Sequence, residues 1–535
     1  MFIEKQNPEK IIRELTYNIG NVSADLNAKN KNRQDIDIMA FTYDDAKYIR
    51  RQMQLEDEDF YYLYIYVNTF ADNIKELEGN INKIQSILGY NGIKSRKGYF
   101  REEQIYFSTM PFFINQKEIK NATRKNILTS GLISTYPFIT NSISDMSGIF
   151  IGKNIYNNSL IFIDKYNEEK YKNANMCIFG TSGAGKSYYT KLNILRYSLM
   201  GVEQYIIDPE REYSKLCENL GGTLVKMGPS SDTYVNIFDI RKESLEDGEK
   251  GYLSNKIIKL IGFFNLIFGE LNEEEKGIIE EKIINIYEKK GINFDDKSLL
   301  KNNNEFKESK DMPLLEDLFF EFSKDINTKK FQIKLIPFVK GSLNFFNKYT
   351  NIKIKNKLIV ADIYDLGEEN LKYAMYIFME IFWDYIKRDR TIKKSIYIDE
   401  IWRLIGVTSN KEVASFVYKI FKTIRKYGGS AVAITQDISD LFSLDSGNFG
   451  KSILNNSSIK NFFALEEENI KVLKKYSNIS DKEEVDIKML KRGEMLMFVG
   501  EEHLMARVEK FDYEDEIINK NLIVEGENKG DGNWK

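Results

Sequence analysis

Gly180-Thr181-Ser182-Gly183-Ala184-Gly185-Lys186-Ser187 fits the phosphate-loop pattern, a glycine, four residues and then Gly-Lys-Ser. Its surroundings fit as well. The apolar run Met176-Cys177-Ile178-Phe179 before it reads as a strand, and Tyr188 to Met200 after it carries apolar residues at helical spacing. Strand, glycine loop and helix together make an anion site, because backbone N–H groups turn inward and the helix N-terminus adds its positive dipole end. Gly183 and Gly185 permit the tight turn that brings backbone against oxygen. All eight residues are candidate nucleotide ligands, with Lys186 reaching the β- and γ-phosphates and Ser187 holding Mg²⁺. ATP and Mg²⁺ are therefore the expected ligands.

The 535 residues suggest about three domains by length. Hydrophobic residues at 42% and charged residues at 29% describe a globular chain. Lys plus Arg is 77 against 80 Asp plus Glu, a formal net charge of -3, so no global basic field holds nucleic acid and any DNA-contacting surface would be local. Cys177 and Cys217 are the only cysteines, which argues against a disulfide framework and fits a reducing cytosol. With the single His503 they cannot assemble a zinc cluster. The longest apolar stretch, Leu260 to Phe268, is too short to span a bilayer, and Met1-Phe2-Ile3-Glu4-Lys5 does not open a secretory segment. A cytoplasmic chain that reaches a membrane only by docking is expected.

Residues 1 to about 150 read as a separate α+β assembly or docking domain. Ile36–Phe41 and Tyr61–Val67 are expected strands, and Thr69–Leu88 an amphipathic helix with Ile74, Leu77, Ile81, Ile84 and Leu88 on one face. From Gly148 onward strands alternate with helices, the pattern of a parallel sheet with helices on both faces. The expected strands are Leu160–Ile163, Met176–Phe179, Gln204–Ile207, Leu358–Ala361, Ile396–Ile398 and Ala431–Thr435, several of them continuous apolar runs. Asn461–Leu465, Glu494–Val499 and Met505–Val508 follow, the last two as an antiparallel hairpin on the sheet edge. Residues 245–350, with helices Leu253–Phe268, Glu273–Lys289 and Leu314–Ser323, read as a helical subdomain inserted into a nucleotide-binding domain at 151–522. Residues 523–535 read as a disordered tail rich in Gly, Asn and charge.

Ser395-Ile396-Tyr397-Ile398-Asp399-Glu400 is a hydrophobic strand ending in two acids. Beside a phosphate loop, Asp399 would hold Mg²⁺, through water or Ser187, and Glu400 would polarise the attacking water as general base. Ala431 to Thr435 leads to Gln436, which could sense the γ-phosphate or position water, or simply be a satisfied amide at a strand end. Arg425 lies just before that strand. It could neutralise transition-state charge in a neighbouring subunit's site, or be a basic helix end interacting with its own dipole. Asp208 and Glu210 follow the strand at Gln204–Ile207 and belong either to the site's rim or to the cap of the next helix. Val235-Asn236-Ile237-Phe238-Asp239-Ile240 reads as structural.

Taken together, the phosphate loop, Ile207-Asp208-Pro209-Glu210-Arg211-Glu212-Tyr213, Val235-Asn236-Ile237-Phe238-Asp239, Asp399-Glu400-Ile401-Trp402 and Arg425-Lys426-Tyr427-Gly428 leading to Thr435-Gln436 form an ordered set. This set resembles the large conjugative-transfer ATPases of type IV secretion systems, the TraC/TrbE/ConE type, from about Ile36 to Asp515. Pro111-Phe112-Phe113, Tyr136-Pro137-Phe138 and Gly148-Ile149-Phe150-Ile151-Gly152 are similar to that family's approach to its ATPase domain. The resemblance implies a RecA-like motor domain and a homo-hexamer, peripherally attached to the inner face of the membrane. It further implies channel subunits and a coupling protein as partners, with DNA or a relaxase–DNA complex as the transferred substrate. Gly180 to Ser187, Asp399, Glu400, Arg425 and Gln436 match the family's nucleotide-site positions. The chain departs from the family in a short N-terminal region and in Ile401, where the family pattern has Ala. Two other readings accommodate the same residues: a DNA-pumping or repair translocase of the same superfamily, and a nucleotide-binding assembly scaffold with little turnover.

Overall fold

The structure, a computed structural model, describes residues 1–26, 33–56, 58–90, 92–135, 142–244, 250–352, 356–406 and 411–520. The expected tail at 523–535 and the segment Tyr136-Pro137-Phe138 lie outside the described residues. The chain divides into two units, Met1–Ile139 and Thr140–Lys535.

In the first unit, strands β1 (Phe2–Lys5), β2 (Phe60–Tyr64) and β3 (Lys125–Leu128) form an antiparallel sheet in that order. Helices Pro8–Leu26 and Arg33–Leu55 accompany it, with Ile11, Met53 and Phe60 as a small core. The expected strand at Ile36–Phe41 is instead part of the helix Arg33–Leu55. Its brief alternation of apolar and polar residues is outweighed by 23 residues without Gly or Pro, long enough for cooperative helix formation. The expected helix from Thr69 begins later, at Ile74, and runs to Tyr90 without burying any of its residues.

The second unit is built on a sheet of 11 strands among the described residues. They are β4 (Ile149–Asn154), β5 (Leu160–Ile163), β6 (Met176–Phe179), β7 (Glu203–Asp208), β8 (Thr223–Lys226), β9 (Leu358–Asp362), β10 (Lys394–Ile398), β11 (Gly429–Thr435), β12 (Ile459–Phe462), β13 (Glu494–Val499) and β14 (Glu502–Val508). Their order is β5-β4-β14-β13-β12-β6-β11-β10-β7-β9-β8. From β12 to β8 the pairing is parallel; from β12 to β5 it is antiparallel. Two expectations change. The hairpin β13–β14 is internal, because β4 and β5 continue the sheet beyond it. Leu160–Ile163 is an antiparallel edge strand and not one of the parallel set. Strands β4 and β8 were not expected: Gly152 breaks the apolar run of the first, and the second is only Thr-Leu-Val-Lys.

Side-chain alternation along the parallel strands feeds two cores. Cys177, Phe179, Tyr205, Ile207, Ile396 and Ile398 face one side; Met176, Ile178, Ile206, Tyr397, Val432 and Ile434 face the other. The first face is covered by helices Tyr252–Phe268, Glu368–Lys387 and Lys411–Thr423, so the helical segment between β8 and β9 shares the core of the sheet. Lys186–Leu199, the helix after the phosphate loop, covers the second face. Helix Lys186–Leu199 is tied to the C-terminal helix Asp512–Asn519 by a buried two-point ion pair, in which Arg196 Nε and Nη2 each donate to Glu514 at 2.7 Å. Arg196 also donates to the carbonyl of Glu509 at 2.8 Å. Replacing Glu514 with Ala would leave a buried guanidinium without its carboxylate. The expected loss is about 3–5 kcal/mol of unfolding free energy, read by chemical denaturation; a loss of a few tenths would contradict this placement.

Candidate nucleotide site

Parallel pairing sets the site. Phe179 lies opposite Thr435, and Ile398 lies between Ala433 and Ile207, so the residues that follow β6, β11, β10 and β7 emerge at one sheet edge. Gly180, Gln436 and Asp399 follow the first three, and Asp208 is the last residue of β7. Ligand sites of open α/β sheets form at such carboxyl ends.

The loop itself is held from below. Thr181 N–H donates to Ala464 carbonyl at 2.9 Å, and Gly493 N–H donates to Ala184 carbonyl at 3.0 Å. A Cβ on Gly180 would meet Phe463 Cβ at 2.6 Å, so this position admits only glycine without a shift. Gly183 and Gly185 have φ of 77 and 111, the left-handed region that glycine enters without strain. Lys186 is buried, and its amine donates to the carbonyls of Gly180 at 2.6 Å and Thr181 at 3.0 Å. Burial lowers the pKa of that amine, opposed by the charges of Glu400, Asp399, Glu212 and Glu210. Lys186 begins the helix, and Ser187 is its second residue.

Both acids after β10 are buried. Asp399 accepts the hydroxyl of Tyr213 at 3.0 Å on one oxygen and the N–H of Glu400 at 3.0 Å on the other. Burial pushes its pKa well above the usual carboxylate range, and Glu400, Glu212 and Asp208 add repulsion. Glu400 sits at φ 48, an unusual conformation for a residue with a side chain and one that clusters at functional sites. Its pKa is also raised by burial, while an indole hydrogen bond from Trp402, at 2.6 Å, pulls it down. A buried amine and two buried acids at one sheet edge fit a phosphate-plus-Mg²⁺ ligand. The amine can exchange its carbonyl partners for phosphate oxygens, and Mg²⁺ commonly binds through one or two protein oxygens with water completing the shell.

Asp208 belongs to the cap of the alternatives weighed for it. Its two oxygens accept the N–H groups of Glu212 at 3.0 Å and Tyr213 at 2.9 Å, just before helix Ser214–Asn219. Glu210 is exposed, and its charge acts on both Glu400 and Lys186. Sequence reasoning missed Tyr213 and Trp402 as partners of the two acids. It also missed Arg211, which at φ 56 pairs with Asp362 at 2.7 Å and Asp365 at 2.5 Å and so closes the turn that carries Tyr213. The only signal for them was their presence in the quoted motifs. Asn236, within the segment read as structural, donates to Pro313 carbonyl at 2.9 Å and is fully buried.

Gln436 is half-buried at the end of β11, on the same edge as the phosphate loop. Arg425 is not brought to this edge in its own chain. It precedes the 7-residue strand β11, which spans about 20 Å, and its guanidinium lies 3.8 Å from Glu168.

Burial raises the pKa of Asp208 from 3.8 to about 6. The folded chain therefore keeps a proton there up to about pH 6 that the unfolded chain releases near pH 4. Its contribution to stability falls as pH rises through that window and is level above it. The unfolding free-energy difference between the natural chain and Asp208→Asn should change by roughly 3 kcal/mol between about pH 4 and 6 and stay constant above pH 7. A pH-independent difference would contradict the burial assigned here.

Three comparisons bear on this geometry. A family model described as the TraG P-loop domain matches residues 148–498. Protein TraC of Escherichia coli (strain K12) is 22% identical over 389 residues, which are 69% of this chain and 42% of that protein, so the chain spans less than half the length of this relative. The structure of VirB4 of Thermoanaerobacter pseudethanolicus aligns with a TM-score of 0.64 and 26% identity, over 70% of this chain and 99% of that one.

Proposed function

Since the chain belongs to the family of the TraG P-loop domain, we propose that it is an Mg²⁺-dependent ATP-hydrolysing motor of a conjugative type IV secretion system. The observation that carries this reading is the meeting of Lys186, Asp399 and Glu400 at one edge of the parallel sheet, in the order of elements that the family match covers.

Each residue has a role its surroundings support. The loop Gly180 to Ser187 would cradle the phosphates, apart from the N–H groups of Thr181 and Ala184, which the carbonyls of Ala464 and Thr181 take, and Lys186 would leave the carbonyls of Gly180 and Thr181 for phosphate oxygens. Ser187 and Asp399 would hold Mg²⁺, which supplies charge neutralisation on the β- and γ-phosphates. Glu400 takes a proton from the attacking water, and its raised pKa brings it nearer to working pH. Gln436 orients that water from the strand between those of the loop and the acids. Arg425, remote from its own loop, acts on the site of a neighbour in a homo-hexamer.

The partners we read are channel subunits and a coupling protein at the inner face of the membrane, with DNA or a relaxase–DNA complex as the moved substrate. No described helix is long and apolar enough to cross a membrane, in keeping with peripheral attachment. We read the first unit as the docking part; Ile74, Tyr90, Phe100 and Phe113 are exposed on it.

ATP hydrolysis by the purified chain with Mg²⁺ tests the reading. Lys186→Ala should lower turnover by at least ~100-fold, and Glu400→Gln should bind ATP but not release phosphate. Unchanged turnover in Lys186→Ala would overturn the site. Mixing Arg425→Ala with Glu400→Gln subunits should restore part of the activity, because one interface then carries an intact site and an intact arginine; no recovery at any ratio would reject action in trans.

A further inference from the structure

The turn after β10 is held by a run of backbone hydrogen bonds. Asp399 N–H donates to Ile207 carbonyl at 3.3 Å, Ile401 N–H to Ile434 carbonyl at 3.1 Å, and Arg403 N–H to Glu400 carbonyl at 3.0 Å. Glu400 N–H is taken by Asp399 at 3.0 Å. With φ at 48 and both flanking strands fixed, the main chain of Glu400 has no freedom left, and only its side-chain torsions decide where the carboxylate points. One contact limits them: Trp402 Nε1 donates to Glu400 Oε2 at 2.6 Å. The indole is itself held. The Arg403 guanidinium lies 4.7 Å from its ring centroid, and Arg403 Nη1 donates to Glu368 at 3.0 Å.

We propose that Trp402 is a positioning residue for Glu400: its indole N–H fixes one carboxylate oxygen and leaves the other, Oε1, for the attacking water. This rests on the ATPase reading above, in which Glu400 is the general base. An indole is a donor only, so it binds the ionised acid and cannot stabilise the protonated one by accepting its proton. An apolar residue at 402 would leave the carboxylate free to rotate. A purely structural role for the ring would need neither the N–H nor the charge.

Trp402→Phe keeps a ring and removes the donor. In ATP hydrolysis it should lower kcat by about tenfold or more with KM changed less than about threefold. A kcat equal to that of the natural chain would overturn the proposal. A second readout does not depend on turnover. The chain has 3 tryptophans, so 5-fluorotryptophan labelling yields few ¹⁹F resonances, and that of Trp402 is the one missing in Trp402→Phe. It should move in Glu400→Gln, because the indole N–H then faces a neutral amide in place of a carboxylate. A Trp402 resonance indifferent to Glu400→Gln would also overturn the proposal. Absence of hydrolysis by the natural chain, with the resonance still moving in Glu400→Gln, would count against the ATPase reading and support the contact.

Discussion

Burying two carboxylates side by side is the constraint around which this site is organised. Asp399 and Glu400 lie at 6% and 5% exposure; loss of water raises the cost of ionising both, and the charge of Glu400 adds to it at Asp399. Lys186 is the cation that the loop places nearby, and its amine is engaged by carbonyls and not by either acid. The surrounding structure holds the acids with aromatic donors instead. Tyr213 reaches Asp399 from the segment after β7, and Trp402 reaches Glu400 from the helix after β10. A phenol and an indole offer a hydrogen bond on a rigid, largely apolar body, so they orient a carboxylate without bringing in water.

That arrangement propagates outward. Tyr213 meets Asp399 from a turn in which Asp208 accepts its N–H and Arg211, in a left-handed conformation, is clamped by Asp362 at the end of β9 and Asp365 just after it. Three neighbouring strands, β10, β7 and β9, are thus joined by polar contacts at their carboxyl ends. The phosphate loop is supported from the opposite side, by Ala464 after β12 and Gly493 before β13. The antiparallel extension of the sheet, which looked peripheral, therefore carries one of the loop's two anchors. Backbone N–H groups aimed at an anion must be preorganised to be worth much, and the anchors do this before any ligand arrives.

Much of the nucleotide-binding unit was legible in the sequence. Buried parallel strands are continuous apolar runs, and β6, β7, β9, β10 and β11 were all recognisable on that ground. The loop was legible because its glycines and lysine are demanded by backbone geometry and charge, which are local. Errors fell where the local signal was short or ambiguous. Ile36–Phe41 alternates for a few residues inside a long helix, β8 is four residues with weak pattern, and β5 carries the same apolar composition as a parallel strand while pairing the other way. Strand direction is a property of the partner, and no residue within Leu160–Ile163 encodes it.

By itself, then, the sequence determined which residues can bind phosphate and which acids can act beside them, because those demands are met by single side chains and tight turns. It also determined the side of each strand that enters a core, through alternation. Only the tertiary structure decided who holds the acids. Tyr213 lies 186 residues from Asp399, and a hydrogen bond across that separation depends on strand order and register, not on spacing. The same holds for Arg425. Its type suggested a catalytic part, but the direction of β11 carries it to the end of the strand opposite its own loop.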